Sequence, residues 1–206
     1  MSLVQDIQSV TTELAPPDLL RHLITERFPG KTIVTASLRA RSVVVLKMIA
    51  DIDPAMPVAF CHPGYVFPES VAYRENLVKL LGLSNVQISR GHETKVPPGD
   101  KDHYERMWSE DPSRPGSVEE MVHLNDVLRP YDCWISAVYH FLRPPAVRHR
   151  VDREGRLVRV DPLLLWTRQD VARFMRQNRL PFHPRAALRP SAPPGEAAEA
   201  PWTYHF

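Results

Sequence analysis

Residues 31–50 carry the feature that most constrains how this chain can fold. The run at 32–35, TIVT, consists largely of β-branched residues and suits a strand that is buried on both faces. A polar loop at 37–42 follows, and an apolar run with helical character continues to residue 50. A strand, a short polar loop and a helix together direct backbone N–H groups and a helix N-terminus toward an anion. The stretch therefore predicts a phosphate- or sulfate-binding loop.

The rest of the chain repeats this alternation of strand and helix. Apolar or β-branched runs that suit buried strands occur at 32–35, 57–61, 85–88, 133–137 and 157–160. Helical patterns separate them, and this order predicts an α/β fold: a doubly wound, mostly parallel five-stranded sheet with helices on both faces.

Helix signals and turn signals divide the remainder. Helices are predicted to begin at Pro16, Pro68, Ser117 and Thr167. The second should bury one face, formed by Tyr73, Leu77, Leu80 and Leu81. A long polar loop is expected at 90–103, a helical turn at 104–108 and an Arg-rich connection at 143–156.

Three segments follow from this division. Residues 1–30 are interpreted as an N-terminal helical extension, 31–184 as the α/β domain and 185–206 as a Pro/Ala-rich tail. Trp202 and Tyr204 are unusually apolar for a tail, which favours docking on a second subunit. A homodimer or hetero-oligomer is therefore expected.

Composition excludes several classes of protein. The net charge is +2 and there is no dense basic block, so a nucleic-acid partner is not expected. No apolar run reaches membrane-spanning length, and the first residues lack the charged and apolar regions of a signal peptide. A cytoplasmic protein without membrane contact is the expectation.

Ligands of such sheets bind beyond the carboxyl ends of the strands, at the topological switch point. That rule gathers the loops after the first, second and fourth strands. Arginines in these loops suit planar oxyanions because guanidinium groups donate two parallel hydrogen bonds. The predicted phosphate- or nucleotide-binding residues are Ser37, Arg39, Arg41, Ser42, His62, Gly64, Tyr65 and Arg143.

Each candidate has an ordinary structural alternative. Ser37 and Ser42 either donate to a phosphate or cap a helix that begins at Val43. Two arginines at a helix N-terminus oppose its dipole unless an anion is present, which favours binding at Arg39 and Arg41. Tyr65 either stacks on a base or packs under the sheet edge. Arg148 and Arg150, which are also in the last loop, either belong to a solvated face or bind the ligand. The histidines show no spacing typical of metal ligands.

Four motifs in one collinear order resemble a known family. They are SLRARS at 37–42, GYVFPES at 64–70, WISA at 134–137, and PLLLWT at 162–167 followed by NRLPFHP at 178–184. The chain resembles the phosphoadenosine phosphosulfate (PAPS) and adenosine phosphosulfate (APS) reductases. That resemblance implies a Rossmann-like fold of the PP-loop type and a phosphorylated or sulfated adenine nucleotide as the ligand.

Several positions depart from the family pattern. Arg39 stands where the family has a loop glycine, His62-Pro63 replaces an Asp-Thr pair, and two family arginines after the fourth strand are missing. The Glu-Cys-Gly-x-His element with the attacking cysteine is not found, nor are the paired cysteines of an iron–sulfur cluster, so no cofactor is expected. Cys61 and Cys133 fall in predicted strands and are expected to be buried.

Three hypotheses for function remain open. The chain is a repurposed member that binds an adenine nucleotide or related anion, a non-catalytic partner subunit of an active enzyme, or a sulfonucleotide reductase whose nucleophile is supplied elsewhere. Whether it catalyses a reaction is left open, because reduction by the family's mechanism needs an accessible thiolate near the sulfate.

Overall fold

The computed structural model describes residues 2–62, 68–90, 124–137 and 149–184. Six strands form one sheet in the order β3-β2-β1-β4-β6-β5. The strands are β1 (Thr32–Ala36), β2 (Val58–His62), β3 (Val86–Arg90), β4 (Cys133–Ser136), β5 (Val151–Glu154) and β6 (Leu157–Val160). The helices are α1 (Leu3–Thr11), α2 (Pro16–Arg21) with a π-helical continuation (His22–Arg27), α3 (Ala40–Ala50), α4 (Pro68–Leu81) and α5 (Arg168–Gln177).

Parallel pairing dominates the sheet, as predicted. Val34 of β1 is in register with Val58 of β2 on one side and with Ile135 of β4 on the other, both parallel. β2 pairs parallel with β3, and β4 pairs parallel with β6. All five predicted strands are present within one or two residues of their expected ends. The doubly wound α/β architecture is therefore confirmed.

The sheet has a sixth strand that the sequence analysis missed. Within the predicted Arg-rich connection at 143–156, residues 151–154 form β5, which pairs antiparallel with β6. Gly155 has φ +59°, and with Arg156 it makes the tight turn of this hairpin. The prediction of an irregular connection was wrong here because three of the four β5 residues are charged, as is common on an edge strand.

Hydrophobic residues cover both faces of the sheet. The larger cluster joins α1 to α5 to one face and includes Ile7, Leu20, Val44, Leu77 and Met175. The predicted N-terminal extension therefore packs into the main core. A smaller cluster around Trp134 lies on the other face, where Leu128 ends the helical segment at 124–128.

The buried face of α4 differs from the prediction at one residue. Tyr73 and Leu77 are buried, but Leu80 is 58% exposed. Ser70 and Arg74 complete the buried side instead. The buried side of α4 is therefore rotated away from Leu80. The prediction that Leu80 is buried was wrong because periodicity alone does not show where the sheet under the helix ends.

The predicted helical turn at 104–108, the first part of the helix from 117 and the tail at 185–206 lie outside the described residues. The helical segment at 124–128 lies where the later part of that helix was predicted. Among the helices that the structure describes, none has the length and apolar character needed to cross a membrane.

The end of α1 is attached to β5 through Arg150. Its guanidinium donates to the carbonyl oxygens of Thr11, Thr12 and Leu14 at 2.5–2.7 Å. Gln8 adds a bond from Nε2 to the carbonyl of Val151 at 2.7 Å. The carbonyls of Thr11, Thr12 and Leu14 lie at or just beyond the C-terminus of α1. Carbonyls at that end of a helix have no intrahelical N–H donor, and a cation is favourable there.

We expect Arg150→Ala to lower the free energy of unfolding by about 1–3 kcal/mol, because carbonyls at a helix end lose their charged donor. Urea unfolding measures the change, and amide exchange should rise across α1. Arg129→Ala is the matched control, since Arg129 forms an exposed ion pair with Asp126 and should change stability by no more than about 0.5 kcal/mol. Equal effects of the two substitutions would contradict this role for Arg150.

Candidate active site: the β1–β4 crevice

The strand order changes direction between β1 and β4. From β1 the chain adds β2 and β3 on one side, whereas β4 and β6 lie on the other. Thr35 and Ser136 are in register at the carboxyl ends of this pair. In open α/β sheets the crevice at such a switch point is where ligands bind. The loop at 37–42 lies directly at this crevice, so the predicted binding loop and the topology agree.

Two serines hold this loop in a buried hydrogen-bonded arrangement. Ser42 Oγ donates to the carbonyl oxygen of Ala137, just past β4, at 2.8 Å. It accepts from the backbone N–H of Ser37 at 3.0 Å, and the two hydroxyl oxygens are also 3.0 Å apart. Both side chains are buried. The loop after β1 is thereby joined to the end of β4.

The helix after this loop begins earlier than the capping alternative assumed. α3 begins at Ala40, with Arg39 at the N-cap position and no side-chain capping bond. The interpretation of Ser37 and Ser42 as caps of a helix that begins at Val43 is therefore wrong. The first backbone N–H groups of a helix have no intrahelical acceptor, so those of α3 are directed at the crevice end of the loop.

Arg39 occupies the family's glycine position without backbone strain. Its φ of −90° and ψ of 157° are ordinary extended values that do not require glycine. The residue is half-buried, and its Nε and Nη2 atoms are shielded from solvent. The first turn of α3 contains no acidic residue. A guanidinium and a helix N-terminus therefore add positive potential at the same place.

Arg41 lies only two residues later but points elsewhere. Its Nη2 donates to the carbonyl oxygen of Leu163 at 2.7 Å, and its Nη1 donates to that of Trp166 at 3.3 Å. Asp161 Oδ1 lies 3.7 Å from the same guanidinium. These contacts attach α3 to the segment between β6 and α5. A ligand at the crevice would have to share this guanidinium with those carbonyls.

The remaining candidates are only partly placed. His62 is the last residue of β2, which puts it at the carboxyl edge of the sheet. Gly64, Tyr65 and Arg143 lie outside the described residues, so their predicted roles stay predictions.

The structure also places a histidine, His183, beside the start of α4, and the sequence analysis did not select it. His183 Nε2 lies 3.0 Å from Ser70 Oγ, and its ring meets Tyr73 edge-on with centroids 4.9 Å apart. Tyr73 donates from its hydroxyl to the carbonyl of Pro181 at 2.7 Å, and burial raises the pKa of this phenol to about 12. These contacts hold residues 181–183 against the first two turns of α4. The motif at 178–184 was the available signal.

The two thiols have different environments. Cys133 is fully buried in β4, and this burial raises the pKa of its thiol to about 12. Cys61, near the carboxyl end of β2, is only half-buried, so the expectation that it is buried was wrong. The strand pattern did not show that the sheet cover thins toward this edge. Across the described ranges, no group of three or more His, Cys, Asp or Glu residues is arranged to hold a metal ion.

Comparison with known proteins identifies the family. The family model for the phosphoadenosine phosphosulfate reductase domain matches residues 31–185, more than half of the chain. The phosphoadenosine 5'-phosphosulfate reductase of Alkalilimnicola ehrlichii is 28% identical over 165 residues, covering 77% of this chain and 66% of that protein. The adenosine 5'-phosphosulfate reductase of Mesorhizobium japonicum is 27% identical over 204 residues, covering 93% of this chain and 80% of that protein.

A solved structure supports the same fold. The phosphate complex of the phosphoadenylyl-sulfate reductase from Candida auris superposes with a TM-score of 0.67 at 15% identity. The match covers 100% of this chain and 98% of the other.

The burial difference predicts different thiol reactivity. Under native conditions Cys61 should react with an aromatic disulfide reagent at least about tenfold faster than Cys133, because only an accessible thiolate attacks. A Cys61→Ser variant isolates Cys133, and a Cys133→Ala variant isolates Cys61. Fast labelling of native Cys61→Ser protein would show that Cys133 is accessible and contradict the prediction.

Proposed function

Because this chain belongs to the phosphoadenosine phosphosulfate reductase family, we propose that it binds an adenine nucleotide, or a related phosphorylated or sulfated anion, at the β1–β4 crevice. The position of the loop at 37–42 carries the proposal. It lies at the switch point, at the start of α3, with Arg39 at the N-cap and no acidic residue in the first turn. Backbone N–H groups and a cation at such a crevice suit a phosphate or sulfate group.

The proposed ligand set keeps the predicted residues at this edge of the sheet. Arg39 and the backbone of the loop face the anion, with Ser37 and Ser42 forming the loop itself. His62, Gly64, Tyr65 and Arg143 are proposed to complete the site from the second and fourth loops. The Arg41 guanidinium already donates to the carbonyl oxygens of Leu163 and Trp166. It would contact the ligand only by sharing its N–H groups between these carbonyls and the anion.

The reaction is proposed to differ from that of the similar reductases. This chain spans 66% of the A. ehrlichii protein and 80% of the M. japonicum protein. Its 206 residues contain two cysteines, of which Cys133 is fully buried. A thiol with a pKa near 12 supplies almost no thiolate at neutral pH. Within these residues, a repurposed binding protein that needs no cofactor is the better-supported reading.

One observation favours the alternative of a working reductase. Cys61 is half-buried at the carboxyl end of β2, the same edge that holds the crevice. It is therefore the thiol within these residues that could approach a ligand, unless the nucleophile comes from another chain. The other alternative is a non-catalytic subunit in a homodimer or hetero-oligomer, which would use this fold as a surface.

Calorimetric titration of the folded chain with ATP, adenosine phosphosulfate and adenosine 3',5'-bisphosphate tests the proposal. We expect saturable binding of at least one of them, weakened by added salt because the contact is ionic. No binding of any of the three to a well-folded sample would contradict it and favour the non-catalytic subunit. Thiol-dependent release of sulfite that is lost in Cys61→Ala, with stability unchanged, would instead support the reductase.

Arg39 is the most direct point for a substitution. Arg39→Ala should weaken binding of the phosphorylated or sulfated ligand about tenfold or more, because a charge-assisted contact of about 1.5–3 kcal/mol is lost. Arg39→Gly should lose less, since backbone N–H groups can then approach the anion more closely.

The matched control is Lys47→Ala, which removes a positive charge from the far end of α3, where Lys47 pairs with Asp51. Its affinity should stay near that of the native chain. Nucleotide binding that appears only in Arg39→Gly would show instead that Arg39 closes the crevice.

A further inference from the structure

The hydroxyl hydrogens of Ser37 and Ser42 already form hydrogen bonds within the protein. Ser42 Oγ carries one hydrogen, which it donates to the carbonyl of Ala137 at 2.8 Å. In the 3.0 Å contact between the two hydroxyls, Ser37 must therefore be the donor and Ser42 the acceptor. The backbone N–H of Ser37 donates to the same oxygen at 3.0 Å. Neither hydroxyl can donate to a ligand without breaking one of these buried bonds.

We propose that Ser42 is a positioning residue that sets the shape of the anion-binding loop, and that neither serine hydroxyl contacts the anion. Three backbone segments meet at Ser42 Oγ: the end of β1 through Ser37, the first turn of α3 through Ser42 itself, and the end of β4 through Ala137. The inference rests on the proposed function for its ligand, but the geometry of the hydroxyl is a property of the chain alone.

The bond from Ser42 to Ala137 lies where it can determine the shape of the crevice. Ser42 is fully buried and its bond to Ala137 crosses the switch point between β1 and β4. The backbone ladder, including the bond from the Ala137 N–H to the Thr35 carbonyl at 3.0 Å, sets the spacing of the two strands, and the Ser42 bond attaches the loop to that fixed frame. The loop backbone between Ser37 and Ser42 is held at both ends by the same oxygen. The N–H groups of the loop are then held in place without either serine side chain contacting the ligand. A preorganised site of this kind avoids reordering on binding.

Two serine substitutions separate positioning from direct contact. Ser42→Ala removes the acceptor of the Ser37 N–H and the donor to Ala137, so both buried backbone groups lose their partner. Ser37→Ala removes one hydroxyl, and with it the long 3.4 Å acceptor contact of the Arg39 backbone N–H, but leaves both backbone bonds of Ser42 in place. The two serines are matched in chemistry and burial, and Ser42→Ala should disturb the loop more than Ser37→Ala does.

The first measurement needs no ligand. In two-dimensional amide NMR spectra of the full chain, we expect the amide proton of residue 37 to move upfield and to exchange faster in Ser42→Ala. In Ser37→Ala the change of residue type itself shifts the signal, so the expected result there is that exchange stays as slow as in the native chain. Ser42→Cys is the second variant in case alanine unfolds the loop, because sulfur fills the site but accepts hydrogen bonds weakly. An unchanged Ser37 amide in both Ser42 variants overturns the proposal.

The second measurement titrates inorganic phosphate and adenosine phosphosulfate. Ser42→Ala should weaken binding by about tenfold or more, whereas Ser37→Ala should stay within about threefold of the native chain. Equal losses in both variants would show that the hydroxyls touch the anion, and no loss in either would show that the bond does not shape the site; both overturn the proposal. If the native chain binds neither probe, the amide spectrum alone decides the positioning role, and the titration with the three nucleotides decides the proposed function separately.

Discussion

The structure depends on β1 being paired on both of its edges. β1 lies in register with β2 and β4, both parallel, and all five of its residues are buried. A strand in this position needs cover on both faces, which explains its β-branched composition. Parallel neighbours also need crossover connections, which bring the loops after β1 and β4 to one edge of the sheet. The site is a consequence of this pairing, because the crevice exists where the two directions of winding meet.

The same pairing also buries polar side-chain atoms, and each of those described next has a hydrogen-bond partner. Trp134 of β4 donates from its indole N–H to Thr35 Oγ1 of β1 at 2.8 Å. One step further along, Ser42 bridges Ser37 and Ala137. These bonds tie β1 to β4 through side chains beyond the ladder itself. Buried polar groups with partners in place specify one geometry, since a shift of register would leave them without acceptors.

Arginine shows how far the sequence could lead. Five of the six strands and α5 follow from local pattern and capping, so they were predictable from the sequence. The predicted start at Thr167 is confirmed by a capping box with Asp170. The hydrogen-bond partners of a guanidinium can lie far away in the sequence, so local pattern does not predict them. Arg41 binds carbonyls 122 and 125 residues away, Arg150 binds carbonyls 136–139 residues away, and Arg156 likewise binds the carbonyl of Leu128.

A planar group with five donors suits helix-end carbonyls as well as it suits an oxyanion. The loop after β1 and the switch point could therefore be predicted from the sequence, whereas the structural use of Arg41 and Arg150 could not. β5 was missed for a related reason. The charged residues of β5 are typical of a loop, so the sequence did not predict a strand there. Which side of an edge strand is buried depends on the element that packs against it, and for β5 that element is α1.

The charges at the start of α3 limit what the loop can contribute to binding. Asp161 lies 3.7 Å from the Arg41 guanidinium, so much of that positive charge is already balanced. The other positive groups of this loop are the guanidinium of Arg39 and the partial charge of the helix N-terminus, and the contribution of each is modest. Inorganic phosphate should therefore bind weakly at this crevice. Any nucleotide that binds tightly must gain most of its affinity from contacts to its base and sugar, which makes the loops after β2 and β4 decisive for selectivity.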